Sequence, residues 1–354
     1  MTLVFFGLLS VLIVISPFVP PTTFWFFALL TFLVFPIVIV HILLVPFLVY
    51  RKNWYVFVAA IVLVIGVPLI FKIYVLRLDS EENRNKSGNL KVLSYNISFF
   101  RVGRVFSEEY YTEQHHKEAL NTRAWILEQG PDIICMQEFF NDVGSNIFNN
   151  LDFISDNGKY DYYFMNKPLH DNGTSRGIVT FSKFPIVHQK EIFLAANRYN
   201  GALFTDIQFQ KDTLRIINVH LASLNLFESK DILSILSSVK ENVLQKEEQC
   251  SILLEEIRNS PHPVILCGDL NETPLSYSYR QLENLTDDAF VQVGRGFGGT
   301  LTSNKVLSYL RIDHQFIDPN IEVKSFTTHR NIYLSDHYPI IGEYQIPINF
   351  SKVD

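Results

Sequence analysis

Six short apolar stretches of this chain each stop on a group that can handle a phosphate or a metal ion. "LKVLSYNI" presents Asn96, "DIICMQE" presents Glu138, and "TLRIINVHL" presents Asn218 and His220, two apart and so on one face of a strand. "PVILCGDLNETP" presents Asp269 and Asn271 at the same spacing, "LRIDH" offers Asp313, and "LSDHYPI" offers Asp336 and His337. Taken singly, each reads as a turn or a capped strand end, since Asp and Asn both favour turns. Taken together they are hard to dismiss, because burying unpaired polar groups costs free energy. Convergence on one wet cleft removes that cost. Carboxylate and amide oxygens without a cysteine cluster suit a hard cation, Mg²⁺ or Mn²⁺, rather than zinc.

The order of these pieces carries a resemblance. SYN, QE, "RGIVTFSKFPI", NVHL, GDLN, RID and SDHYPI, between about Lys91 and Ile346, resemble the endonuclease/exonuclease/phosphatase superfamily. That superfamily includes pancreatic-type deoxyribonucleases, abasic-site endonucleases, sphingomyelinases and inositol polyphosphate phosphatases. NVHL looks more like the branches that keep this histidine than the abasic-site branch, which lacks it. The resemblance implies an α+β (mixed α/β) fold, a four-layer αββα sandwich of two sheets with the site at one edge. It also implies roles. Glu138 is the expected metal ligand with Asn96 beside it, and Asp336 completes the metal site. Asp269 orients or deprotonates the attacking water, and Asn271 donates to a phosphate oxygen. His337 contacts the phosphate, held by Asp313, and His220 is a second phosphate donor or general acid.

These side chains need a scaffold, and the pattern supplies one. Strands are predicted over 90–97, 132–138, 177–183, 201–209, 213–221, 263–270, 310–317, 321–328 and 338–346, short and bounded by Gly, Pro or Asn. A helix is predicted to end at Gly130 and Pro131, with Leu120, Ala124 and Leu127 on one face. A longer one runs from about Lys230 to Arg258, and a shorter one follows Pro274. Hairpin-like strand pairs mixed with helices point to two sheets face to face with helices outside.

The chain before this body is different in kind. Residues 1–77 hold no acid and only Arg51, Lys52, Lys72 and Arg77 of the 30 basic residues, which leaves the remainder with a formal charge of −10. Apolar runs over about 3–19, 24–50 and 54–76 predict three transmembrane helices, with a signal-peptide core as the rival for the first. Residues 78–90 read as a linker and 91–350 as the catalytic domain. The short Arg51–Lys52 loop places the amino terminus inside and the body outside the cytoplasm, while Arg77, Arg84, Lys86 and Lys91 argue the other way.

Other candidates carry less. His115 and His116 are adjacent, so on a helix they diverge, and they read as solvated. His41 faces a neighbouring span. "GRGFGGT" lacks the Lys-Ser/Thr of a nucleotide loop and reads as a flexible rim near the cleft. Arg176 is either a phosphate contact or a surface residue. The three cysteines, Cys135, Cys250 and Cys267, have no metal or redox spacing, and Cys135 and Cys267 read as buried small hydrophobes.

The sequence therefore predicts a multi-pass, membrane-anchored, divalent-metal-dependent phosphoester hydrolase, phosphodiesterase- or endonuclease-like. Its substrate is a nucleic acid, or a lipid or small phosphoester near the bilayer. No obligate protein partner is implied. The alternatives are a phospholipase C-like or phosphatase activity, and a non-catalytic binding module on the same fold. A channel is disfavoured, because the spans carry no charge in their middles.

Overall fold

The computed structural model describes residues 2–77, 88–102, 112–166, 173–193, 200–223, 232–302 and 308–347. Most of the predicted linker therefore lies outside the described residues. The amino-terminal helices are α1 (Thr2–Ile15), the single turn α2 (Phe27–Leu30), α3 (Val34–Tyr50) and α4 (Val56–Ile73). Phe27–Tyr50 and Val56–Ile73 are long and apolar enough to cross a membrane, while Leu3–Phe18 is shorter. Their polar side chains turn inward: His41 is buried, with Nε2 3.3 Å from the Tyr55 hydroxyl and its ring stacked on Phe6.

Helix α4 runs directly into β1 (Tyr74–Val75), after which the body begins with β2 (Leu90–Asn96). There follow α5 (Glu113–Gln129), β3 (Ile133–Asp142), α6 (Asn150–Gly158), β4 (Tyr162–Met165) and β5 (Thr174–Ser182). Next come β6 (Ile186–Phe193), β7 (Gly201–Phe209), β8 (Asp212–His220), α7 (Ile232–Arg258), β9 (Val264–Asp269) and α8 (Tyr277–Glu283). The chain closes with β10 (Asp287–Asp288), α9 (Ala289–Val293), β11 (Gly296–Phe297), β12 (Asp313–Ile317), β13 (Glu322–Thr328) and β14 (Ile340–Gln345).

Two six-stranded sheets result, in the orders β13-β14-β2-β3-β5-β4 and β10-β12-β9-β8-β7-β6. Alternation along each strand sorts its side chains between two apolar layers. Leu90, Val92, Ile133 and Cys135 meet Ile216, Ile265 and Cys267 between the sheets. Leu93, Tyr95 and Ile134 face Ala119 and Ile126 of α5 and Ile154 of α6. Ile217, Val219 and Leu266 face Cys250, Leu253 and Ile257 of α7 and Tyr279 of α8. The four layers αββα follow, as the sequence implied.

One helix face differs from expectation. On α5 the buried side is Ala119, Thr122, Arg123 and Ile126, whereas Leu120 is 48% exposed. The reason is Arg123: its guanidinium lies 4.0 Å from the Phe153 ring centre and donates to the Ile147 carbonyl, so a charged residue fills an apolar position through its stem. On α7 the apolar positions Val239, Val243, Leu253, Leu254 and Ile257 are buried at helical spacing, and only Leu236 before them is exposed.

The body makes direct contact with the helices. β1 pairs antiparallel with β11, matching Tyr74 with Phe297 and Val75 with Gly296. The Lys72 ammonium pairs with Glu283, and the Lys72 carbonyl accepts from Arg311 Nη2 at 3.0 Å. Leu275 enters the apolar cluster of α1, α3 and α4. "GRGFGGT" is thus an ordered seam, not a loose rim: Gly298 and Gly299 are buried and the segment holds the body to its helices.

Candidate active site

The site is assembled at one end of both sheets. On the inner faces, parity carries β2 through Val92 and Ser94 to Asn96, β8 through Ile216 and Asn218 to His220, and β9 through Ile265 and Cys267 to Asp269. Asp313 opens β12 directly opposite Asp269. Parallel pairing of β8 with β9 sets His220 opposite Asp269 on the other side. Asp269 is therefore flanked by both groups through register alone.

Glu138 breaks the alternation. Ile133, Cys135 and Gln137 face inward, so the next residue of a regular strand would face the helices. A register shift between Met136 and Phe139 and a left-handed backbone at Glu138 (φ 48°) turn its carboxylate back toward the cluster. Gly268, before Asp269, serves the same end by another route. Its φ is 147°, and a Cβ there would fall 1.9 Å from the Val219 carbonyl oxygen, so only glycine lets β9 lie against β8.

Asp269 Oδ2 is the hub. It accepts from Asn96 Nδ2 at 3.0 Å and lies 3.7 Å from His220 Nε2 and 3.7 Å from His337 Nε2. Its Oδ1 accepts from the Asn271 backbone N–H at 2.8 Å. His220 Nε2 also lies 3.8 Å from Glu138 Oε1. His337 Nδ1 is 2.8 Å from Asp313 Oδ2. Six of the eight predicted residues, Asn96, Glu138, His220, Asp269, Asp313 and His337, thus form one contiguous group. Asp336 lies at its exposed rim, with Oδ1 3.1 Å from Ser335 Oγ.

Two expected contacts take another form. Asn96 keeps its oxygen on the Ser98 N–H at 3.1 Å and turns its nitrogen to Glu138 and Asp269, so beside Glu138 it offers a donor rather than a ligand oxygen. Asn271 directs its side-chain nitrogen to the Leu221 carbonyl at 3.0 Å and lies against Asp269 through its backbone. His115 and His116 stay away from the site, His115 completing the helix cap with Thr112 and His116 packing on Phe148. Arg176 is buried, its guanidinium over the rings of Phe99 and Phe140, so the surface alternative falls.

Burial and charge tune the group. Burial alone would push the His337 imidazole down, but the carboxylates of Asp313 and Asp269 outweigh it and hold the ring well above its usual value. Burial lifts Asp313 above the usual carboxylate range against the pull of His337. Burial also raises Glu138, with His220 pulling it back. Ligand atoms of Asp269, Asp313 and His337 all lie within 4.8 Å of one another, close enough to hold an ion. A protonated imidazole is a poor cation ligand, however, which leaves Glu138, half-buried and open to the rim beside Asp336, as the better seat.

Several contributors escaped the sequence reading. Thr300 Oγ1 accepts from the backbone N–H of Asp313 at 3.2 Å, and Ser335 Oγ donates to the Asn96 carbonyl at 2.8 Å. Below the site Gln137 donates to Asn218 at 2.7 Å, bridging the two sheets. Behind Asp313, buried Arg311 pairs with Asp288, which also accepts from Tyr279 Oη at 2.6 Å, and His314 Nε2 lies 2.8 Å from the Glu272 carbonyl. The Arg of "RID", the Gln of "QE" and the Asn of "NVHL" stood in quoted motifs without an assigned role; lone hydroxyls and Asp288 look like any others in a chain of this composition.

Residues 93–337 match the model of the Endonuclease/Exonuclease/phosphatase family, and residues 2–73 match a domain of unknown function. Among solved structures, an endonuclease/exonuclease/phosphatase from Beutenbergia cavernae superposes with a TM-score of 0.53 at 20% identity, over 73% of this chain and 71% of that one. One from Bacteroides vulgatus gives 0.53 at 15% identity, over 73% and 99%. A family protein from Leptotrichia buccalis gives 0.50 at 17% identity, over 73% and 100%. No curated protein matches the chain.

Proposed function

Because this chain belongs to the endonuclease/exonuclease/phosphatase family, we propose that it is a membrane-anchored, divalent-metal-dependent hydrolase of phosphoester bonds, attacking phosphorus with water. The observation that carries the reading is the single hub at Asp269, which draws an amide and two imidazoles from three other segments of the chain. Buried charged and polar groups are expensive unless they serve one another or a ligand.

In this reading Asp269, fixed by Asn96 and by the backbone of Asn271, orients the water and takes its proton. His337, kept protonated by Asp313, donates to a phosphate oxygen, and His220 on the opposite flank donates to a second oxygen or to the leaving group. A Mg²⁺ or Mn²⁺ ion at Glu138, near Asp336, would neutralise phosphate charge and stabilise the leaving oxygen.

The anchor reading rests on the two long apolar helices and on their exposed faces, where Leu43 is 74% and Val64 75% exposed. The exposed Arg51–Lys52 turn lies at the end of the helices away from the body, which favours a body outside the cytoplasm. Nucleic acid and lipid or small phosphoesters both remain substrates of the right chemistry.

Hydrolysis of bis(4-nitrophenyl) phosphate by the full chain in detergent, with and without Mg²⁺ or Mn²⁺, tests the activity. Turnover should need the metal and be lost in Asp269→Ala; equal turnover by the variant would reject the mechanism.

A further inference from the structure

A cavity of about 590 Å³ lies on the flank of the body, lined by Arg77, Lys91, Arg295, Lys324, His329 and Arg330, with Glu343 the only lining acid among the described residues. This concentration of positive charge stands out in a body whose formal charge is −10. Lys91 and Lys324 have carboxylates nearby, Glu343 at 4.0 Å and Glu322 at 2.5 Å. Among the described residues, no carboxylate forms an ion pair with Arg295 or Arg330, and both are exposed. Like charges gathered round one hollow repel one another unless an anion enters.

The cavity is separate from the catalytic group. Lys91 and Asn96 lie five residues apart on β2, about 17 Å at the rise of a strand, and on opposite faces of the sheet. Its position relative to the helices is equally defined. Arg77 stands four residues beyond Ile73, the last residue of α4. Phe297 lines the cavity while its ring packs on Tyr74 at 4.8 Å and on Phe35 of α3 at 6.2 Å. The hollow therefore begins where the apolar helices end.

We propose that this cavity is a non-catalytic site for the headgroup of an anionic phospholipid in the leaflet next to the body. The proposal rests on the anchor reading and is independent of the hydrolase chemistry. Guanidinium groups fit a phosphodiester oxygen pair with two parallel hydrogen bonds, and the negative potential of an anionic leaflet attracts basic side chains that lie within a Debye length of its surface. The basic residues Arg77 and Lys91, which oppose the expected orientation when counted as topology signals, acquire a use as headgroup ligands.

The test uses the full chain in phosphatidylcholine nanodiscs with and without phosphatidylglycerol. Wild type should retain phosphatidylglycerol several-fold above the disc average after purification and unfold at a higher temperature in its presence. Both effects should vanish in the double variant Arg295→Gln/Lys324→Gln, whose unfolding in pure phosphatidylcholine should match wild type. Equal retention by both proteins, or none by either, overturns the proposal. Inorganic pyrophosphate in phosphatidylcholine discs is the competing arm: a rise as large as that with phosphatidylglycerol would make the site one for free phosphates and reject the lipid. A chain that never enters phosphatidylcholine discs overturns the anchor reading and this site with it, while leaving the hydrolysis assay untouched.

Discussion

His337 Nδ1 lies 2.8 Å from Asp313 Oδ2, although the two come from separate segments: Asp313 opens β12 of one sheet, and His337 stands three residues before β14 of the other. The bond fixes which ring nitrogen faces Asp269 and keeps the ring charged. Replacing Asp313 with Asn should leave the ring in place but without its counter-charge. Turnover should fall about 10²- to 10⁴-fold, the range for loss of a positioned proton donor. A variant within threefold of wild type in kcat would remove His337 from the mechanism.

The same pair sets a pH limit. The folded protein binds the His337 proton more tightly than the unfolded chain, whose histidine titrates near 6.5. The resulting stability is complete below that value and is lost as pH rises from 6.5 through the higher folded value. Activity that needs the charged ring should fall over the same alkaline range. In Asp313→Asn the alkaline limb of the kcat/KM profile should move to lower pH; an unmoved limb assigns it to another group.

Glu138 is the test of the metal seat. Glu138→Gln keeps the shape of the side chain but removes the charge, and should raise the Mn²⁺ concentration for half-maximal activity by about 10- to 100-fold or abolish activation. Unfolding temperature should stay within a few degrees, because the carboxylate is half-buried at the rim. Unchanged Mn²⁺ dependence would move the ion to the Asp269, Asp313 and His337 group.

Arg311 and Asp288 are both about 1% exposed, so the pair is worth testing as structure rather than chemistry. Asp288→Asn leaves a guanidinium buried without its counter-charge and should cost about 3–5 kcal/mol, read by chemical denaturation. Because Arg311 also bonds the Lys72 carbonyl, the loss should loosen β11 from β1 and raise amide exchange at Phe297. A cost under 1 kcal/mol would show that water reaches this pair.

Glu247 on α7 is pushed up to about 7, chiefly by burial and then by Glu272, and its Oε2 has no hydrogen-bond partner. An acid raised on folding contributes stability only while protonated, lost as pH climbs from about 4.5 to 7. Glu247→Gln should therefore stabilise the protein above pH 7, by about 1 kcal/mol after allowing for its partial exposure to solvent. A variant no more stable than wild type at pH 8 would place Glu247 in water.

Much of the site was legible because strand alternation is a strict rule: Asn96, His220, Asp269 and Asp313 follow from counting residues along apolar runs. Glu138 also reached the site, but against that count, since a bulge leaves no mark in the apolar pattern it interrupts. The strands β4 and β6 were missed because "YYFM" and "IVHQKEIF" lie at sheet edges, where burial imposes little alternation. The face of α5 was misread for a related reason: Arg123 is buried by donating to a carbonyl and stacking on a ring, so polarity alone misplaced the stripe. The seam of β1 with β11 is two residues long and has no signal at all.

That seam has a consequence for how the protein meets its substrate. Under the proposed membrane anchor, a body held to its helices by Tyr74, Lys72 and Arg311 would work at one fixed height above the plane they stand in. In that proposal its search would be two-dimensional, by drift of the whole molecule, and a phosphoester far from that plane would have to be brought to it.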